Sequence, residues 1–228
     1  MQDLKTTARI TGLLYFGLAA TGMVGFLVIR ANLYDSGDAA ATLASHIAGE
    51  NLARLGIATN LMAVVAQALA ALWFFKLFRA TDAFAAGAIT AFGFMNAVAL
   101  LVGTMFLAAA LQVAFDPSLA PGGDQAATVQ LLYKLNGAAW NTGSMFFGLW
   151  LIPMGYLAYT SRLMPRPLGV VLMAGGVGYI LSGFLGYLLP NAPSYVGDAL
   201  TGIASVGELW IVGYLLIFGV RSPRPAAA

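Results

Sequence analysis

Glu208 is the sole charged side chain between Ala199 and Val220, and it stands within the stretch SVGELWIVGYLLIFG. A carboxylic acid in so apolar a setting can do two kinds of chemistry. Neutral, it both donates and accepts hydrogen bonds; ionised, it is a counter-charge for a cation or an amine. An acid at the centre of a membrane helix costs about 2.5–3.5 kcal/mol on insertion scales, so it must face protein or water and find partners.

The few other polar side chains in the apolar stretches are the candidate partners. Glu208 lies 13 residues from Arg221, which is about 20 Å of helix at roughly 1.5 Å per residue. Counting the same distance from the other basic edges reaches Gln67, Asn96, Leu149 and the segment from Tyr179 to Ser182. A carboxylate, two carboxamides and a hydroxyl thus fall on one level. Pro153 frees the carbonyl of Leu149 at that depth, where a neutral Glu or a Gln could supply the donor. Helical spacing extends the pattern. Thr201, Ser205 and Glu208 share a face, as do Asn60 with Gln67, Asn96 with Thr104, and Asn141 with Ser144. The expected ligand-binding set is therefore Glu208, Gln67, Asn96, Asn60, Asn141, Ser144, Ser205, Trp150 and Tyr179. These would line an outward-opening crevice with Glu208 at its floor, suited to a small cationic or lipid-like ligand. The alternative is a non-catalytic scaffold or accessory subunit whose polar layer only holds helices together, at about 0.6 kcal/mol per interhelical bond.

The elements that must position these residues are membrane helices. The chain is 60% hydrophobic and 9% charged, with a mean hydropathy of +0.83, well outside the usage of soluble domains. Runs of about 20 apolar residues can span a hydrocarbon core, and six are present, near 10–29, 55–79, 84–114, 139–161, 168–189 and 199–220. An all-α, six-span bundle forming a single membrane domain over residues 1–228 is expected. Lys5, Arg9, Lys76, Arg79, Arg162, Arg166, Arg221 and Arg224 fall on one side of it, which predicts cytoplasmic N- and C-termini. The first span has about twice the apolar length of a signal core and no small-residue cleavage site after it, so it is expected to be retained.

Between the first two spans, Asp38 or Ser36 can cap a short Ala-rich helix on the outer surface, and Asn51 can cap the second span. His46 on that short helix is expected to be solvated or interfacial, with pH sensing as the alternative role. Segment 126–161 is too long for one crossing, so its first turns should project beyond the outer interface.

Several functions find no support. With no cysteine in the chain, disulfides and thiolate metal sites are excluded. Paired aspartates, Ser–His arrangements, metal-ligand spacings and nucleotide-binding glycine motifs are missing, so neither an enzyme nor a cofactor is expected. The basic pI reflects the positive-inside pattern and not a nucleic-acid surface.

The segments ARITGLLY, SGDAAATLASHIAGENLARLGI, MFFGLWLIPMGYLAY, LMPRPLGVVLMAGGVGY and GELW resemble, in that order, a family of bacterial multi-pass membrane proteins grouped as a domain of unknown function, DUF4386. The resemblance implies a bacterial cytoplasmic (inner) membrane protein and carries no catalytic residues.

Overall fold

The computed structural model describes residues 2–189 and 191–221. Among these the secondary structure is helical throughout. Helix α1 (Gln2–Met23) runs through a π-helical segment (Val24–Arg30) into the single turn α2 (Ala31–Leu33). The short helix α3 (Ala39–Ala48) precedes the long helices α4 (Glu50–Phe78) and α5 (Ala83–Phe115). After two 3₁₀ turns come α6 (Gln125–Thr160), α7 (Arg166–Leu188) and α8 (Ser194–Ile217).

Five helical runs are long and apolar enough to cross a membrane: Asp3–Leu33, α4, α5, α7 and α8. The run expected at 139–161 lies inside α6, whose apolar half is diluted by Trp150, Pro153, Gly155, Tyr156 and Tyr159. Large apolar side chains stand exposed along these helices, among them Leu27, Met62, Val206 and Leu209. In lipid such faces need no protein cover, and small or polar residues are turned inward instead.

Capping follows local chemistry. The Asp38 carboxylate accepts from the Ala41 N–H at 2.9 Å and starts α3. Asp82 does the same for α5 through the Ala85 N–H at 3.0 Å. The expectation for Asn51 is corrected: α4 begins at Glu50, and the Gly49 carbonyl takes the Ala53 N–H at 3.0 Å. Asn51 is thus already inside the helix.

Contacts divide the chain into two compact units. The first draws on residues 1–16, 66–96 and 143–228. Its α6 and α7 approach backbone to backbone at two glycine pairs. A methyl carbon on Gly148 would sit 2.5 Å from the Gly176 carbonyl oxygen, and one on Gly155 would sit 2.5 Å from that of Gly169. Both pairs recur after seven residues, two helical turns, so the seam is continuous. Helix α8 closes on α7 by the same device, with Gly175 against Ala204 and Gly207 against Leu172.

The second unit comprises residues 17–65 and 97–142. His46 is 1% exposed there, not solvated as the sequence led us to expect. Its Nδ1 lies 2.9 Å from the Thr42 carbonyl and its Nε2 2.9 Å from the Tyr133 hydroxyl. A carbonyl only accepts, so Nδ1 carries the proton and Nε2 accepts from Tyr133. Arg30 stacks over Tyr34, 4.5 Å from the ring centroid, and donates to the Asn136 side chain at 2.9 Å. Aromatic faces and a carboxamide, which period-based reading does not pair, thus shelter the imidazole and the guanidinium.

Candidate functional site

The first unit brings Glu208 together with two phenols. The Tyr15 hydroxyl on α1 donates to Oε1 at 2.6 Å, and that of Tyr179 on α7 donates to Oε2 at 3.1 Å. The Tyr179 bond follows from helix geometry. Side chains lean towards the N-terminus of their own helix, so Tyr179 reaches back towards Gly175 while Glu208 reaches back towards Ala204. Gly175 and Ala204 are the residues at which α7 and α8 touch. The two side chains therefore converge on one crossing. Glu208 is half-buried, whereas Tyr15 is only 2% exposed.

Around Tyr15 lies an aromatic cluster. Its ring meets those of Phe74 and Trp150 edge to face, with centroids 5.6 and 5.4 Å away. Trp150 is fully buried, and among the described residues its Nε1 makes no well-formed hydrogen bond. A methyl carbon on Gly93 would lie 2.9 Å from the Trp150 ring and 2.7 Å from Ala71 Cβ, so glycine there lets the indole approach α5 closely. One turn along both helices, the Asn96 amide donates to the Gln67 carbonyl oxygen at 3.1 Å. Both residues are buried, and Gln67 Nε2 is without a partner among the described residues.

The remaining expected residues are placed differently. Ser205 is exposed on α8 and bonds back to the Thr201 carbonyl at 3.2 Å, and its hydroxyl also neighbours that of Tyr179. Ser144, on α6 in the same unit, faces Gly183 of α7: its Oγ is 3.8 Å from where a methyl carbon would stand. Asn60 and Asn141 belong to the second unit. Asn60 turns onto its own helix and donates to the Gly56 carbonyl at 2.8 Å, and Asn141 is exposed. Neither Glu208 nor Gln67 serves the carbonyl freed by Pro153, since Glu208 is engaged by phenols and Gln67 Nε2 has no partner among the described residues.

Tyr15 is the site residue that sequence reasoning missed. The depth count along the sequence takes no residue from the first span, whose helix α1 begins at Gln2. Thirteen residues on from that start, the spacing that separates Glu208 from Arg221, stands Tyr15.

A family model described as "Domain of unknown function (DUF4386)" matches residues 10–219. The chain belongs to this family. The match takes in Tyr15, Gln67, Asn96, Trp150, Tyr179 and Glu208, so the whole polar layer lies within the DUF4386 domain. No curated protein and no solved structure matches the chain.

Proposed function

We propose that this membrane protein holds a binding site for a small organic cation at Glu208, as a receptor or as the substrate site of a carrier. The carrying observation is that the Glu208 carboxylate takes a neutral phenol on each oxygen and no cation from the described residues, in a residue that is only partly buried. A cation can approach along the polar side of α8, where Thr201 and Ser205 precede Glu208 by two turns and one turn. The rings of Tyr179 and Phe147, centroids 6.0 Å apart, offer aromatic faces on that side.

In this reading α6 is a sixth crossing. Its C-terminal end must return Arg162 and Arg166 to the side of Lys76 and Arg79 if basic residues stay cytoplasmic. Both termini then lie in the cytoplasm, and the family resemblance supports a bacterial inner membrane. The chain has no cysteine, so Ser118→Cys and Ser161→Cys test this directly. An impermeant maleimide should label the first in intact cells and the second only after lysis.

For the site itself, thermal unfolding of the purified protein with tetraethylammonium and phenethylamine is decisive. A cation should raise the wild-type Tm, and Glu208→Gln, which keeps a hydrogen-bonding side chain without the charge, should abolish the shift. If no cation moves the wild type, or the variant responds equally, the site reading fails. The scaffold reading then stands, favoured by the fact that both oxygens already have donors from the chain itself.

A further inference from the structure

Away from Glu208, the C-terminal end of α8 carries a second construction. A cleft of about 450 Å³ opens there, lined by Lys5, Tyr214, Phe218, Val220 and Arg221. Its shape depends on how α8 ends. The Gly219 N–H donates back to the carbonyls of Tyr214 and Leu215, each at 3.1 Å, and Gly219 adopts φ +69°. Glycine enters this left-handed region without the cost that a Cβ imposes. The turn lays the chain against α1, where a methyl carbon on Gly219 would sit 3.5 Å from the Lys5 carbonyl oxygen. Two residues on, the Arg221 N–H donates to the Leu163 carbonyl at 2.8 Å. Arg221 is thereby fixed on the same cleft as Lys5.

Both basic residues are exposed. The ion pair among the described residues is Arg54 with Glu50, so no acid neutralises Lys5 or Arg221 there. The Tyr214 hydroxyl, only loosely held by the Leu163 carbonyl at 3.5 Å, is a third donor at this end. The neighbouring surface is apolar: Phe218 packs on Tyr214 with centroids 5.4 Å apart, and Ile217 and Phe218 are 67% and 62% exposed. Two cations and a phenol beside an open apolar wall match an amphiphile with an anionic head. Inorganic phosphate would use the cations but not the wall.

The geometry points to a binding site for the phosphate of an anionic phospholipid, gripped between Lys5 and Arg221 with its acyl chain against Ile217 and Phe218. Basic pockets at the ends of membrane helices recognise such headgroups by charge. The test is native mass spectrometry of the full chain, released from detergent with phosphatidylglycerol or phosphatidylcholine present. The wild type should retain phosphatidylglycerol preferentially, and Lys5→Gln with Arg221→Gln should weaken retention about 30-fold, or about fivefold for each basic residue. Lys5→Arg with Arg221→Lys should restore it, and Arg79→Gln, outside the cleft, should leave it unchanged. Equal retention by the double Gln variant overturns the site. Competition by millimolar inorganic phosphate as effective as that by the lipid overturns the lipid assignment.

Discussion

Replacing Glu208 by Met should destabilise the bundle more than removing the acid together with its two donors. Methionine keeps the length of the side chain and deletes both acceptors, which strands the hydroxyls of Tyr15 and Tyr179. Their bonds to Glu208 differ in kind. At 2.6 Å, from a buried phenol, the Tyr15 bond is at the short end of the O–H···O range. At 3.1 Å, the Tyr179 bond is long for an O–H···O contact. Interhelical hydrogen bonds in membranes average about 0.6 kcal/mol and reach about 1.7 kcal/mol, so Tyr15→Phe should cost about 1.5 kcal/mol and Tyr179→Phe about 0.6 kcal/mol. Glu208→Met orphans both donors and should cost at least their sum, about 2 kcal/mol. In the triple variant with Tyr15→Phe and Tyr179→Phe every member of the network is apolar, and removing both partners of a hydrogen bond can be nearly neutral. The triple variant should therefore recover about 1 kcal/mol or more relative to Glu208→Met. Reversible unfolding in mixed micelles with increasing dodecyl sulfate measures all four proteins. Two results would refute the reasoning: a triple variant no more stable than Glu208→Met, or a Tyr179→Phe cost that matches or exceeds that of Tyr15→Phe.

Gly155→Ala should cost about 1–3 kcal/mol, the range for overpacking, because its methyl meets the Gly169 carbonyl and Met173 N at 2.5 and 2.8 Å. Gly186→Ala, with nothing within 4 Å, should be neutral or stabilising in the same assay. Burial, partly opposed by the Thr42 carbonyl, holds the His46 imidazole below its ordinary pKa of 6.5. The unfolded chain then binds the proton first, so the stability from neutral His46 is whole above about pH 6.5 and declines as pH falls towards the lower folded value. Amide protection across α3, corrected for the intrinsic pH dependence of exchange, should fall between pH 7.5 and 5.5, and His46→Phe should flatten that change. Asn96→Leu leaves the buried Gln67 amide with no partner at all and should cost about 1–3 kcal/mol, most of it recovered by adding Gln67→Leu.

The features legible in the sequence were those set by periodicity and composition. Five of the expected membrane runs, the Asp38 cap and the common depth of Gln67 and Asn96 follow from apolar length, capping chemistry and residue counting; that these two bond to each other and not to Glu208 does not. The residues misjudged are those whose environment comes from another element. His46 sits on an Ala-rich helix that by itself would leave it in water, and only Tyr133, 87 positions away in sequence, makes it a buried residue. Tyr15 has no distinguishing neighbours in the first span; its role exists only because α8 presents an acid to it. Asn60 shares a helical face with Gln67, but a carboxamide can also satisfy itself on the preceding turn, and it does.

The choice of phenols as partners for Glu208 bears on what the acid is for. A Lys or Arg at this depth would satisfy the carboxylate and cancel its charge in one step. Tyr15 and Tyr179 satisfy both oxygens and cancel nothing, so the site must complete its charge with a proton or with another cation. If an organic cation binds there, it competes with that proton. Binding of tetraethylammonium should then strengthen as pH rises and release up to one proton per protein. Titration calorimetry in two buffers of different ionisation enthalpy counts that proton, since the apparent heat differs between buffers by the number of protons released. Glu208→Gln should reduce the difference to zero. A wild type that binds the cation with no buffer dependence at any pH below the onset of binding saturation would place the cation somewhere other than Glu208, and leave the triad to the packing of α1, α7 and α8.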